Sequence, residues 1–213
     1  MNEGRFVPSG VDLRDVDARW DSLRAANPKY FDGSLLQVLG TSRNGHGGVQ
    51  IHAQECSYRF YAVQKATSER AGLDCGVRPL GVKAIAVRGD EVLVGRRSSR
   101  VAFYPGAWEF VPGGGLEPGV APAEMVRREL REEAGVEAAS PPIAVALLYD
   151  PGALTWEVVH RLELWADARP EHGWEYEELR FVRPEEMPSP RAQVAEQMMG
   201  LAEAAVGRSG YSG

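Results

Sequence analysis

The 213 residues are 44% hydrophobic and 25% charged, an ordinary globular balance, and no apolar run approaches the roughly 20 residues a membrane-spanning helix needs. A formal net charge of −6 without a Lys/Arg-rich tail disfavours nucleic acid as a partner, and two cysteines, Cys56 and Cys75, have neither the spacing nor the number for a zinc site or a disulfide framework. They read as buried or incidental thiols, and the N-terminus lacks the apolar stretch of a secretory signal, so the expected location is cytoplasmic.

In chain order, Asp12 to Ala26 sets Val16, Trp20 and Leu23 at helical spacing and stops at Asn27-Pro28, predicting a short amphipathic helix. Leu35 to Gly40 and Val49 to Gln54 read as strands joined by Asn44-Gly45-His46-Gly47-Gly48; no helix follows these glycines, so the stretch is a hairpin loop rather than a phosphate loop. Tyr58 to Thr67 fits helix or strand. Leu80 to Val87 and Val92 to Arg97 flank Gly89-Asp90, a hairpin signal, and Trp108 to Val111 forms a strand ending at Pro112 and three glycines. A helix ending at Gly135 follows, then strands at Ile143 to Tyr149, Trp156 to Leu164 and Leu179 to Val182. A terminal helix is expected over Pro190 to Ala205, with Ser189 as N-cap, and a frayed tail after it. Strands with helices on both sides predict an α/β/α sandwich with a mixed sheet over residues 77–213; residues 1–76 form an N-terminal extension of one helix and short strands.

The helix before Gly135 carries the chemistry. Glu129, Glu132 and Glu133 stand at i, i+3 and i+4 and share a face, while Met125, Val126 and Leu130 turn toward a core. Like charges at this spacing repel, and a hard divalent cation relieves the repulsion by taking carboxylate oxygens, commonly together with substrate phosphates. The alternative is a solvated acidic face paired with Arg127, Arg128 and Arg131.

The stretch resembles the Nudix box, G-x5-E-x7-R-E-u-x-E-E-x-G-u with u apolar. It runs from Gly114 through Val120, where the family has Glu, to Arg128-Glu129-Leu130-Arg131-Glu132-Glu133-Ala134-Gly135-Val136 in full. The resemblance covers about Leu80 to Met187. It implies the Nudix fold and hydrolysis of a nucleoside diphosphate linked to another group, with Mg²⁺, or Mn²⁺ in its place. Position by position it implies Glu129, Glu132, Glu133 and the Gly114 carbonyl as metal ligands, with Arg128 orienting the acidic helix. A further catalytic glutamate from a later loop is expected among Glu175, Glu177 and Glu178, with Glu175 preferred because Glu178 leads into a strand. Val120 removes a partner for Arg128, and Ala121 offers the helix no side-chain cap.

Outside the box, Tyr30-Phe31-Asp32-Gly33, Ser57-Tyr58-Arg59 with Thr67, Pro79-Leu80-Gly81-Val82, Arg96 to Ala102 and Pro105-Gly106 resemble the UDP-sugar pyrophosphatase subgroup. That resemblance implies a UDP-sugar such as UDP-glucose, cleaved to UMP and sugar 1-phosphate. Arg96, Arg97 and Arg100 are candidate phosphate donors, and Tyr104, Tyr58 or Phe103 candidate stacking partners for the base. The four histidines show no metal-ligand spacing. Alternatives are another small diphosphate such as ADP-ribose, or a non-catalytic Nudix-like binding module. The N-terminal extension could serve as a substrate lid or as the surface of a homodimer.

Overall fold

The computed structural model describes residues 4–28, 30–65 and 72–207; the expectations for Thr67 and for the tail 208–213 lie outside them. The chain divides into two compact units, Met1–Leu80 with Gly115–Gly119, and Gly81–Gly114 with Val120–Gly213.

In the first unit, helix α1 spans Leu13–Ala26, and the carboxylate of Asp12 caps it by accepting the Arg14 N–H. Strands β1 (Ser34–Arg43) and β2 (Val49–Ser57) pair antiparallel, with a bulge between Val38 and Gly40. The Asn44 side chain closes the hairpin by accepting the N–H groups of His46 and Gly48, which bears out the hairpin reading. Tyr58–Ala62 resolves as a short helix, α2. Val16, Trp20, Leu35, Cys56, Phe60, Val63, Cys75 and Val77 form the core of this unit. Both cysteines are buried free thiols, and burial pushes Cys56 up to about 12 and Cys75 up to about 11. The buried amide of Gln37 is satisfied by donating to the carbonyls of Val38 and Gly76 and by accepting the Arg78 N–H.

The second unit is built on a mixed seven-stranded sheet. Its strands are β3 (Leu80–Arg88), β4 (Glu91–Arg97), β5 (Trp108–Phe110), β6 (Gly113–Gly115), β7 (Ile143–Asp150), β8 (Thr155–Glu163) and β9 (Tyr176–Val182). The path runs β5-β4-β3-β8-β7, with β6 added on β3 and β9 on β4. Helix α3 (Pro122–Ala134) packs against β8, and α4 (Gln193–Gly207) against β4, β5 and β7. Val194, Ala195, Met198, Ala202 and Ala205 of α4 join Ile85, Val87, Val92, Val94, Trp108, Phe110 and Val159 in the main core. The expected sandwich of helices on a mixed sheet is what forms.

Two boundaries differ from expectation. The terminal helix begins at Gln193 rather than Pro190, because Trp108 donates to the Pro190 carbonyl and accepts from Ala192, drawing this stretch into a bridge beside β5. Strand β9 begins at Tyr176 rather than Leu179, because its register on β4 continues through Arg96↔Glu178 to Arg97↔Tyr176. Glu177 and Glu178 are therefore strand residues, and of the three candidate glutamates only Glu175 precedes the strand.

Candidate active site

The site is organised by how α3 is rotated. Pro122 sits in its first turn, where a missing N–H is no loss, and Gly135 ends it at φ 65°, a conformation costly for other residues, donating its N–H to Arg131. Burial of Met125, Val126, Leu130 and Ala134 turns Glu133 inward, leaves Glu129 half-buried and puts Glu132 in solvent. Glu133 accepts the Gly113 N–H at 3.1 Å, and the Glu129 carboxylate lies so close over Gly114 that a β-carbon there would collide with it. Helix α3 thus lays two of the three box glutamates on the glycine strand β6. Glu132 instead lies 3.8 Å from Arg128, whose guanidinium also donates to the Met125 sulfur at 2.9 Å.

Next to β6 lies a buried charged network. Lys83 of β3 and Arg97 of β4 both donate to Glu109 of β5 at 2.5 Å, and the Tyr176 hydroxyl adds a third bond at 3.0 Å. The Lys83 ammonium also reaches Gly113, lying 2.7 Å from where a β-carbon would stand. Burial alone would raise Glu109, but Lys83 and Arg97 outweigh it and bring the carboxyl down to about 2. For Glu133 burial prevails: its carboxyl stands well above the usual range although Lys83 opposes, and Glu109 and Glu175 add to the rise. Glu175 is raised by burial too, against the pull of Arg97. Glu157 of β8 is pushed up to about 7 by burial, with Lys83 and the Thr155 hydroxyl, 2.6 Å away, pulling the other way.

Lys83 is thus within electrostatic reach of four carboxylates, Glu109, Glu133, Glu157 and Glu175, with Arg97 the other cation among them. With these groups ionised the acids outnumber the two cations, and Glu129 on Gly114 adds to the excess of negative charge. Hard carboxylate and carbonyl oxygens are the donors that Mg²⁺ and Mn²⁺ take. No three Asp, Glu, His or Cys side chains among the described residues are already gathered tightly enough to hold an ion. The donor chemistry and charge deficit nonetheless suit a divalent cation at Glu129, Glu133 and the Gly114 carbonyl.

The sequence model of the NUDIX domain matches residues 77–201, more than half of the chain. The chain belongs to the NUDIX domain family. It is 35% identical over 96 residues to an uncharacterized Nudix hydrolase of Pseudomonas aeruginosa, an alignment covering 45% of this chain and 56% of that relative. The chain therefore spans little more than half the length of this curated relative. Among solved structures, a bifunctional NMN adenylyltransferase/ADP ribose pyrophosphatase from Francisella tularensis superposes with a TM-score of 0.50 at 16% identity, over 57% of this chain and 39% of that one. A MutT NUDIX hydrolase from Burkholderia pseudomallei superposes with a TM-score of 0.48 at 21% identity, over 57% of this chain and 95% of that one. The Francisella likeness shows the Nudix fold.

Against this Nudix frame, the candidate substrate-binding residues fare unevenly. Arg97 is not a free phosphate donor, because Glu109 and the Phe103 carbonyl hold its guanidinium inside the sheet. Arg96 pairs at the surface with Glu177 at 3.3 Å and Glu178 at 3.8 Å, and Arg100 is exposed. Tyr104, at φ 51°, is pinned by its hydroxyl to the Asp150 carboxylate at 2.5 Å, with Gly152 leaving room for its ring. Tyr58 is a core residue of the first unit, edge-on to Trp20 at 6.3 Å and stacked on Tyr30 at 6.5 Å. Neither tyrosine presents an unengaged ring for stacking. Sequence reading missed Lys83, Glu109, Glu157 and Tyr176. The available signal was a lone charge inside an otherwise apolar strand, in Gly81-Val82-Lys83-Ala84-Ile85 and in Trp108-Glu109-Phe110.

Proposed function

We propose that this protein is a divalent-metal-dependent pyrophosphohydrolase acting on a nucleoside diphosphate linked to a second group. The observation that carries the reading is the placement of Glu129 and Glu133 of the box helix directly on Gly113 and Gly114. When bound there, Mg²⁺ or Mn²⁺ offsets diphosphate charge and favours hydroxide at neutral pH. Glu129, Glu133 and the Gly114 carbonyl would hold the cation, and the bond from the Gly113 N–H fixes the rotamer of Glu133. Arg128 braces the exposed turn of α3 that carries Glu132. Glu175, half-buried at the start of β9 and within the fields of Arg97, Lys83 and Glu132, is the acid best placed to take a proton from the attacking water.

For the substrate, the pieces resembling the UDP-sugar pyrophosphatase subgroup favour a UDP-sugar, cleaved to UMP and sugar 1-phosphate. ADP-ribose fits about as well: the Francisella neighbour carries an ADP-ribose pyrophosphatase activity in its description, on a fold shared at low identity. Incubating UDP-glucose, other UDP-sugars, ADP-ribose and dinucleoside polyphosphates with protein and Mg²⁺, and measuring released phosphomonoester, separates these substrates. Turnover should fall roughly a hundredfold or more in Glu133→Gln with folding retained. Unimpaired turnover in that variant, or no diphosphate cleaved by the wild type, overturns the reading.

A further inference from the structure

Two oxygens pack so closely on Gly81 of β3 that no larger residue fits there. A β-carbon at this position would stand 2.6 Å from Glu157 Oε2 and 2.9 Å from the Gly114 carbonyl oxygen, both closer than real β-carbons approach other atoms. A sheet-borne carboxylate and the backbone carbonyl of the glycine strand therefore converge on one space, kept clear by a missing side chain. Glu157 is 7% exposed, and its other oxygen, Oε1, accepts from the Thr155 hydroxyl at 2.6 Å, which fixes the carboxylate plane. The Lys83 ammonium is hydrogen-bonded to Glu109 and acts on Glu157 through its field alone. A buried carboxylate without a paired cation is costly, and a metal ion is one of the few groups that relieve it.

We propose that Glu157 is a further oxygen ligand of the divalent cation, acting from β8 beside the Gly114 carbonyl while Glu129 and Glu133 act from α3. The inference rests on the metal-dependent reading above and extends the ligand set beyond the box. Binding from two separate elements lets the sheet and the helix each fix part of the ion's coordination, so the site does not depend on α3 alone. Gly81 is part of the same device: its hydrogen is the only side chain that leaves both oxygens room.

The test is metal binding without turnover. Free Mn²⁺ is titrated by electron paramagnetic resonance into wild type, Glu157→Gln, Gly81→Ala and Glu133→Gln, with urea unfolding of each variant run with and without Mn²⁺. Glu157→Gln keeps the shape and the Thr155 bond, so it should unfold without metal at a midpoint no lower than wild type. It should also bind Mn²⁺ at least tenfold more weakly and lose most of the metal-induced rise in stability. Gly81→Ala should weaken Mn²⁺ binding in the same direction. Wild-type Mn²⁺ affinity in Glu157→Gln overturns the proposal, as does a loss of metal-free stability that accounts for the whole effect. If Glu133→Gln weakens binding while Glu157→Gln does not, this inference alone fails. A wild type that binds no Mn²⁺ removes the proposed function with it.

Discussion

Glu109 shows how much one buried charge can organise. It is 2% exposed, between Trp108 and Phe110, and holds two cations from two other strands together with a tyrosine hydroxyl. Removing its charge in Glu109→Gln takes from Lys83 and Arg97 the one carboxylate hydrogen-bonded to both. The expected cost is about 3 to 5 kcal/mol of folding stability, the usual effect of orphaning one side of a buried ion pair. Urea unfolding monitored by fluorescence checks this, and a loss below about 1 kcal/mol would mean water or another acid replaces Glu109. The lone charges in apolar strands are visible in the sequence, but their pairing is not. The partners of Glu109 lie 26 residues before it, 12 before it and 67 after it, and only the strand order brings them together. The box was legible for the opposite reason: its spacing is local, and helix geometry alone fixes which glutamates share a side. Even there, spacing placed all three glutamates together, whereas burial of Met125, Val126 and Leu130 rotates Glu132 outward.

Among the elements, α3 is sound in its interior and weak at its entry. Ala121 stands at the N-cap with extended backbone and no side-chain bond to the first turn, so its leading N–H groups lack the usual acceptor. Ala121 is exposed, so Ala121→Asp fits without repacking and supplies both an acceptor and a negative charge at the positive end of the helix. A gain of about 1 kcal/mol is expected in chemical unfolding, with Mn²⁺ affinity unchanged. An unchanged or lower midpoint would show that water already serves these groups. The end of this helix was readable because Gly135 is the residue that a left-handed C-cap favours. The start of α4 departs from its local signature for a tertiary reason: Ser189-Pro190 looks like a helix start, but Trp108 claims the Pro190 carbonyl and the Ala192 N–H for the sheet. Strand β9 runs further than its sequence suggests because Tyr176-Glu177-Glu178 looks like a polar loop until Arg96 and Arg97 of β4 stand opposite it.

At the scale of the molecule, the folding core and the site share one sheet, so conditions that alter the charged network should register in global stability. For Glu109 the sign is definite. Its carboxyl sits at about 2 in the folded protein against an ordinary value of 4.5, so ionisation favours folding. That contribution is fully present above pH about 4.5, declines as the pH falls toward 2, and is spent below it. A depression of this size corresponds to about 3 kcal/mol. Glu133, Glu157 and Glu175, whose carboxyls are raised, act in the other direction: their stabilising contribution belongs to low pH and is lost as the pH rises through their folded values. Comparing wild type with Glu109→Gln isolates the low-pH window: Glu109 helps raise those carboxyls, so their contribution changes too, but it does so above the range in which Glu109 itself titrates. In metal-free buffer, the difference in unfolding free energy between the two should be largest from pH 5 to 7 and shrink steadily from about pH 4.5 to pH 2. A difference that stays constant across that window would mean Glu109 does not remain ionised between Lys83 and Arg97. The counter-ion account of the sheet's polar centre would then be wrong.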